Sequence, residues 1–309
     1  MAGFGAVPCA CRPASSSVTQ RRRDSIPVMQ FLFRFLALWP LGALHLLGAM
    51  LGVLAYGLSP VYRQRFRSNV AQAGLQAQVG WGAVAAAGRM VCELPRLWFG
   101  APVPVQWQGD AHIEAALQRG TGIVFLTPHL GCFEITAQAY AQRYGARRPI
   151  TVLYRPARKV WLRPLVDHAR HRPGLATAPT SLGGVKQLIK ALKAGACVGL
   201  LPDQVPPQGM GVWVPFFGQP AYTMTLAARL AQQTGATVLL GWGERLPWGR
   251  GFRVHVQTLS EVLEADLSVA TGQINRAMEG LVRQAPQQYL WGYARYKQPK
   301  ADVLPEARG

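Results

Sequence analysis

Acidic residues are scarce in this chain: 14 Asp and Glu stand against 33 Lys and Arg, a formal net charge of +19. An excess of that size seeks polyanions, whether nucleic acid, anionic lipid headgroups or an acidic protein, and composition alone does not choose among them. Cysteine is sparse and scattered. Cys9, Cys11, Cys92, Cys132 and Cys197 form no C-x-x-C pair, which argues against a disulfide framework and for reduced thiols in a cytosol-facing domain. Several motifs are missing. Without G-x-S-x-G a serine hydrolase is disfavoured. Without a Walker A loop or G-x-G-x-x-G no nucleotide site is indicated. His168 and His171 have ligand-like spacing but no cysteine or carboxylate set around them, so no metal and no other cofactor is expected. No internal repeat is visible.

Apolar residues, by contrast, make up 50% of the 309 positions, enough for one large α/β domain with an appendage. Residues 1–28 are poor in apolar side chains and contain SSS and RRR; they read as disordered or as an over-long start ahead of Met29. Phe35 to Leu58 follows, 24 residues with His45 as the one ionisable group. As a continuous helix it reaches roughly 36 Å, enough to cross a bilayer core. Trp39 and Tyr56 stand near its ends, as interfacial anchors do. Residues 29–60 are therefore expected to form a membrane anchor. The basic piece VYRQRFRSNV comes next and suits an anionic membrane surface. Residues 61–298 form the expected catalytic domain, and 299–309 a polar tail.

From about residue 101 strands and helices alternate. Helical patterns lie at Ala111–Gln118, Glu134–Arg143, Val160–His171, Leu182–Ala194, Thr223–Gln233 and Val269–Gln284. Strand-like runs lie at Gly122–Leu126, Ile150–Tyr154, Cys197–Leu201, Thr237–Trp242 and Phe252–Leu259. This alternation predicts an α/β fold with a mostly parallel central sheet flanked by helices.

The chemical centre is expected in TGIVFLTPHLGCFE, residues 121–134. A buried strand delivers His129 to its C-terminal end, the edge where open α/β sheets build sites. Glu134 follows in the first turn of the next helix. A carboxylate that fixes the tautomer of an imidazole prepares it to take a proton from an alcohol. A His-x4-Glu spacing alone is weak, because it arises by chance. Cys132 reads as a small buried filler.

Further polar groups fall at other strand ends. From Arg143 to Arg172, both included, stand nine Lys and Arg (143, 147, 148, 155, 158, 159, 163, 170 and 172) against the single acid Asp167. Guanidinium groups there suit phosphate, with Arg155 ending a strand and Arg170 on the following helix. Pro202-Asp203-Gln204 ends another strand, and Asp203 is placed to orient Arg155 or Arg170 or to cap the next segment. The Pro/Gly-rich stretch after it carries Trp213, Phe216 and Phe217, read as a loop whose aromatics meet an acyl chain, a membrane or the core. The C-terminal QQYLWGYARYK, aromatic and basic, reads as another interfacial edge.

Taken together, these pieces resemble the bacterial lipid A biosynthesis acyltransferases, the late lauroyl and myristoyl transferases within the wider His-x4-Asp/Glu acyltransferase group. The resemblance rests on the apolar segment followed by RFRSNV, then LTPHLGCFE, YRP with Arg170 downstream, LPDQ, VPFFGQPA and YLWGYARYK, in order over about residues 29–298. It implies a glycerol-3-phosphate-acyltransferase-like fold on a bacterial inner-membrane protein, with a single N-terminal anchor and the catalytic domain facing the cytoplasm. It further implies acyl carrier protein as donor, a Kdo-bearing lipid A precursor as glycolipid acceptor, and no nucleic-acid partner. On this resemblance His129 is the general base, Glu134 its partner, and Arg155, Arg170, Asp203 and Gln204 substrate-binding groups. The F-P-E-G-T-R-like block of phosphatidic-acid-forming relatives is missing, with VPFFGQPA in its place. Another glycolipid or phospholipid acceptor, or an acyl-CoA donor, remains an alternative.

Overall fold

The structure is a computed structural model and describes residues 29–154, 166 and 172–300. Its centre is a seven-stranded sheet in the order β1-β9-β8-β2-β5-β3-β4. The strands are β1 (Val105–Gln108), β2 (Ile123–Leu126), β3 (Ile150–Tyr154), β4 (Leu175–Pro179), β5 (Cys197–Leu200), β8 (Thr237–Arg245) and β9 (Phe252–Thr258). Every neighbouring pair is parallel except β8 with β9. The mostly parallel sheet read from the alternation is therefore present. β1 and β4 escaped that reading: both are short, and β1 alternates half-buried and exposed residues at the sheet's edge.

The central strands β2 and β5 are buried at every position, as expected where helices cover both faces. Alternation along β2 separates the two cores. Ile123 and Phe125 pack with Ile135, Ala139, Tyr140 and Tyr144 of helix α7 (Phe133–Tyr144). Val124 and Leu126 face the other way, towards helices α8 (Leu182–Lys193), α9 (Leu226–Thr234) and α10 (Leu267–Gln284). This is the period of two expected for a strand. The helices covering that second face have matching local signals. Ser181 caps α8 by accepting from the Gly184 N–H, and Asp266 caps α10 by accepting from the Val269 N–H, each satisfying an otherwise unpaired amide.

Three expectations are corrected. The apolar segment is not one helix from Phe35: a helix α1 covers 29–37, the chain breaks at Trp39 and Pro40, and α2 runs Leu41–Leu58. Proline lacks the N–H and fixes φ, so it starts a helix rather than continuing one. The stretch carrying Trp213, Phe216 and Phe217 is not a loop but a hairpin, β6 (Gly211–Phe216) with β7 (Gln219–Met224). Phe217 and Gly218 both take positive φ at its tip, the turn a two-residue hairpin favours, and Phe216 and Phe217 are buried. Third, the 287–297 stretch supplies core residues and is not only an edge. Tyr289 and Trp291 are buried and Arg295 is 3% exposed. The Val160–His171 helix, with Asp167, His168 and His171, lies outside the described residues apart from Val166.

The N-terminal helices α2, α3 (Pro60–Gln72), α4 (Trp81–Cys92) and α5 (Leu94–Phe99) lie against this domain. Glu93, between α4 and α5, is fully buried. Its carboxylate accepts from Arg245 Nε at 2.6 Å and Nη2 at 2.8 Å, and His45 Nε2 of α2 lies 3.1 Å from it.

Candidate functional site

β2 and β5 are parallel neighbours, with Leu126 opposite Leu200. The Thr127 N–H donates to the Leu200 carbonyl, extending the ladder one step past β2. His129 and Asp203 each lie three residues beyond those strand ends, and each follows a proline. Equal offsets from paired strands bring the two side chains together.

The contact is bidentate. Asp203 Oδ1 lies 2.7 Å from His129 Nδ1, and Oδ2 accepts the His129 backbone N–H at 2.8 Å. An ionised carboxylate only accepts, so Nδ1 carries the proton and Nε2 presents its lone pair. Gln204 Nε2 is 3.0 Å from that Nε2, the distance at which the amide donates to it. Asp203 is 2% exposed. Burial opposes its ionisation, but the His129 charge, the two hydrogen bonds from His129 and the charge of Arg295 outweigh it and hold the carboxyl below its ordinary value. The Phe133 ring lies 5.0 Å from the imidazole.

The loop bearing His129 is pinned from three sides. The His129 carbonyl accepts from Leu290 N–H, Gly131 N–H donates to the Gln288 carbonyl, and Cys132 N–H donates to the Gly243 carbonyl. Arg245 Nη2 donates to the Gly131 carbonyl at 2.6 Å, so the buried Glu93–Arg245 pair also fixes this turn. Gly131 takes φ 59°, and a Cβ there would collide with the Gly243 carbonyl. Cys132 is buried, and burial, reinforced by the Glu93 carboxylate, drives its thiol pKa well up. It is no thiolate nucleophile.

The predicted site residues thus divide. His129, Asp203 and Gln204 converge. Asp203, read from the sequence as placed to orient Arg155 or Arg170 or to cap the next segment, stands on His129. The expectation that Glu134 holds the imidazole is corrected: the ring's hydrogen bonds go to Asp203 and Gln204. Glu134, the second residue of α7, is engaged elsewhere, and its charge acts on Arg172. Arg155 and Arg170 lie outside the described residues.

Sequence reasoning missed Glu93, Arg245 and Arg295. Arg295 backs the site: it donates to the Tyr222 carbonyl and Thr223 Oγ1 and its charge reaches Asp203. Glu93 had a signal, since it is the only acid between residues 25 and 109.

A narrow apolar cavity opens beside His129. Thr127, Phe133, Glu134, Ala137, Val152 and Gly199 are among the residues that line it, between α7 and strands β2, β5 and β3. A roomier cavity of about 460 Å³ lies on the other side of α7, lined by Arg96, Gln142 and Arg172 among others; none of the predicted site residues that are among the described residues lines it.

The family model described as bacterial lipid A biosynthesis acyltransferase matches residues 76–298. The chain is 28% identical over 194 residues to the lipid A biosynthesis lauroyltransferase of Escherichia coli K12, covering 61% of this chain and 60% of that protein. It is 24% identical over 215 residues to the lipid A biosynthesis palmitoleoyltransferase of the same organism, 68% of each chain. It is also 31% identical over 147 residues to the phosphatidylinositol mannoside acyltransferase of Mycobacterium tuberculosis H37Rv, 46% of this chain and 45% of that one. The match thus spans less than two thirds of the lauroyltransferase's length.

Proposed function

The chain belongs to the bacterial lipid A biosynthesis acyltransferase family, and from that membership we propose that it transfers a fatty acyl group from acyl carrier protein to a hydroxyl of a Kdo-bearing lipid A precursor. The reaction belongs at the cytoplasmic face of the inner membrane. The observation that carries the proposal is the Asp203–His129 pair, with Nε2 turned towards Gln204 rather than towards the carboxylate.

An acceptor hydroxyl replaces the Gln204 amide at Nε2. As its oxygen attacks the thioester carbonyl, Nε2 takes the proton and Asp203 stabilises the imidazolium. The tetrahedral intermediate collapses to the ester and expels the carrier's thiolate, which receives the proton from His129. No acyl-enzyme is formed, in keeping with the missing serine motif and the protonated, buried Cys132. The amino terminus of α7, four residues after His129, supplies backbone N–H donors for the oxyanion. Glu134 organises the basic side of the site near Arg172. Arg155 and Arg170 bind the anionic acceptor, a role that rests on sequence alone. The positive surface suits both an acidic carrier and a phosphorylated lipid.

The cavity under α7, about 60 Å³ in volume, takes only a few methylenes of the acyl chain in this scheme. Ala137 faces it from a half-buried position. Ala137→Leu is expected to favour donors about two methylenes shorter by roughly tenfold or more, from about 0.8 kcal/mol per buried methylene. Competition between acyl carrier proteins of several chain lengths, read by product mass, checks this; an unchanged preference removes the chain from this cavity.

Lipid A from a strain lacking the gene, examined by mass spectrometry, tests the function itself. Loss of one acyl chain is expected. Unchanged acylation rejects the lipid A acceptor and favours the second reading, acylation of a different glycolipid, which the similarity to the mannoside acyltransferase supports.

A further inference from the structure

Helix α2 is long and apolar enough to cross a membrane, yet 28% of it is buried inside the protein. It runs antiparallel along the whole of α4. His45 meets Glu93, Gly48 and Gly52 meet Gly88, and the Tyr56 ring lies 5.6 Å from that of Trp81. A Cβ on Gly48 would stand 2.7 Å from Arg89 Cα, and one on Gly88 would collide with the Gly48 carbonyl. The two backbones are therefore in direct contact, as small-residue helix pairs allow. Glu93 is in turn held by Arg245 at the end of β8. α4 itself rests against the Pro286–Gln288 turn. A spanning α2 would have to draw α4, Arg89 and Glu93 into the hydrocarbon with it.

The opposite face of α2 presents Leu46, Met50, Leu51, Val53, Leu54 and Leu58. These spacings form one helical stripe. Phe31 and Phe35 of α1 are exposed as well. Trp248, 93% exposed, sits on a turn whose backbone touches Gly42. At the other end α3 carries exposed Arg65 and Arg67 and has no acid anywhere in its length. An apolar stripe bordered by aromatics and cations matches a single anionic leaflet.

We propose that α2 lies in the plane of the membrane, with its Gly48/Gly52 face on the catalytic domain and its Leu51/Leu54 face in one anionic leaflet, rather than spanning the bilayer. This deepens the inner-membrane reading above, and its test does not depend on acyl transfer. In-plane seating also keeps the His129 loop, tied to Arg245 and Glu93, at a fixed height above the lipid.

The test compares Arg34→Cys before α2, Gln64→Cys after it and Gln187→Cys on α8, in full-length protein with Cys9, Cys11 and Cys92 replaced by Ser. An impermeant maleimide is applied to spheroplasts and to inverted vesicles. All three positions are expected to react from the same face; Arg34→Cys reacting from the other face, or not at all from the face that labels Gln187→Cys, overturns the proposal. As a second measurement, Leu51→Glu with Leu54→Glu is expected to lower partitioning onto phosphatidylglycerol-containing vesicles at least about tenfold, with the thermal unfolding of the protein unchanged. Unaltered partitioning overturns the proposal as well. Loss of acyl transfer with the predicted labelling would reject the enzymatic reading and leave the in-plane helix standing.

Discussion

Asp203→Asn lowers kcat by about three to four orders of magnitude while leaving the fold intact, the scale seen when a buried aspartate that fixes a catalytic histidine is amidated. The wild-type carboxylate accepts twice from His129, once from the backbone N–H and once from Nδ1. An amide has one acceptor and one donor. Its oxygen keeps the backbone N–H, and its NH2 turns to Nδ1. The proton then moves to Nε2, the atom that must be vacant to serve as base. The loss falls on kcat rather than on KM, since neither substrate needs to touch Asp203. Steady-state kinetics with a thioester donor, alongside a thermal melt, measures both.

Glu93→Gln has the largest effect expected on stability, about 3–5 kcal/mol, because it leaves Arg245 buried without its counter-charge. For a domain of this size that corresponds to roughly 10 °C in Tm. Burial works against ionising Glu93, but the Arg245 charge and the hydrogen bonds from His45 and Arg245 overcome it and bring its carboxyl down to about 2. A carboxyl lowered on folding stabilises fully above its unfolded value and loses that contribution as pH falls through the folded value. The wild type is therefore expected to hold this stabilisation at neutral pH and to lose it between the ordinary glutamate range and about pH 2. Glu93→Gln should show no such loss over that window. Urea unfolding in detergent at several pH values checks both. Arg245 also holds the Gly131 carbonyl, so activity should fall together with stability.

Much of this site was legible, and the limits are physical. His129 and Asp203 each end a short apolar run just after a proline, which marks a strand end without any structure. Their pairing was not legible. They are 74 residues apart, and β2 meets β5 across two intervening strands in sequence, a choice set by sheet order. Reasoning from sequence neighbours assigned the carboxylate to Glu134, five residues away, while the fold supplied Asp203. The hairpin 211–224 was hidden by Pro215 and Pro220, which read as loop residues. They face each other in a two-stranded ribbon, where an absent N–H is tolerated. Trp291 and Arg295 looked interfacial because aromatics and cations mark membrane edges; here the ring fills a core and the guanidinium backs Asp203. In the apolar segment composition gave the long hydrophobic run, but Pro40 and the glycine contacts to α4 decided where the helix starts and what it rests on.

The most direct test of the central claim is single-turnover acyl transfer from an acyl carrier protein thioester to a Kdo-bearing lipid A precursor, with wild type and His129→Ala assayed in parallel and the product read by mass. The account predicts an acceptor heavier by one acyl chain with the wild type. With the variant, still folded and membrane-bound, it predicts a rate lower by about a thousandfold or more. Near-normal transfer by His129→Ala would contradict it.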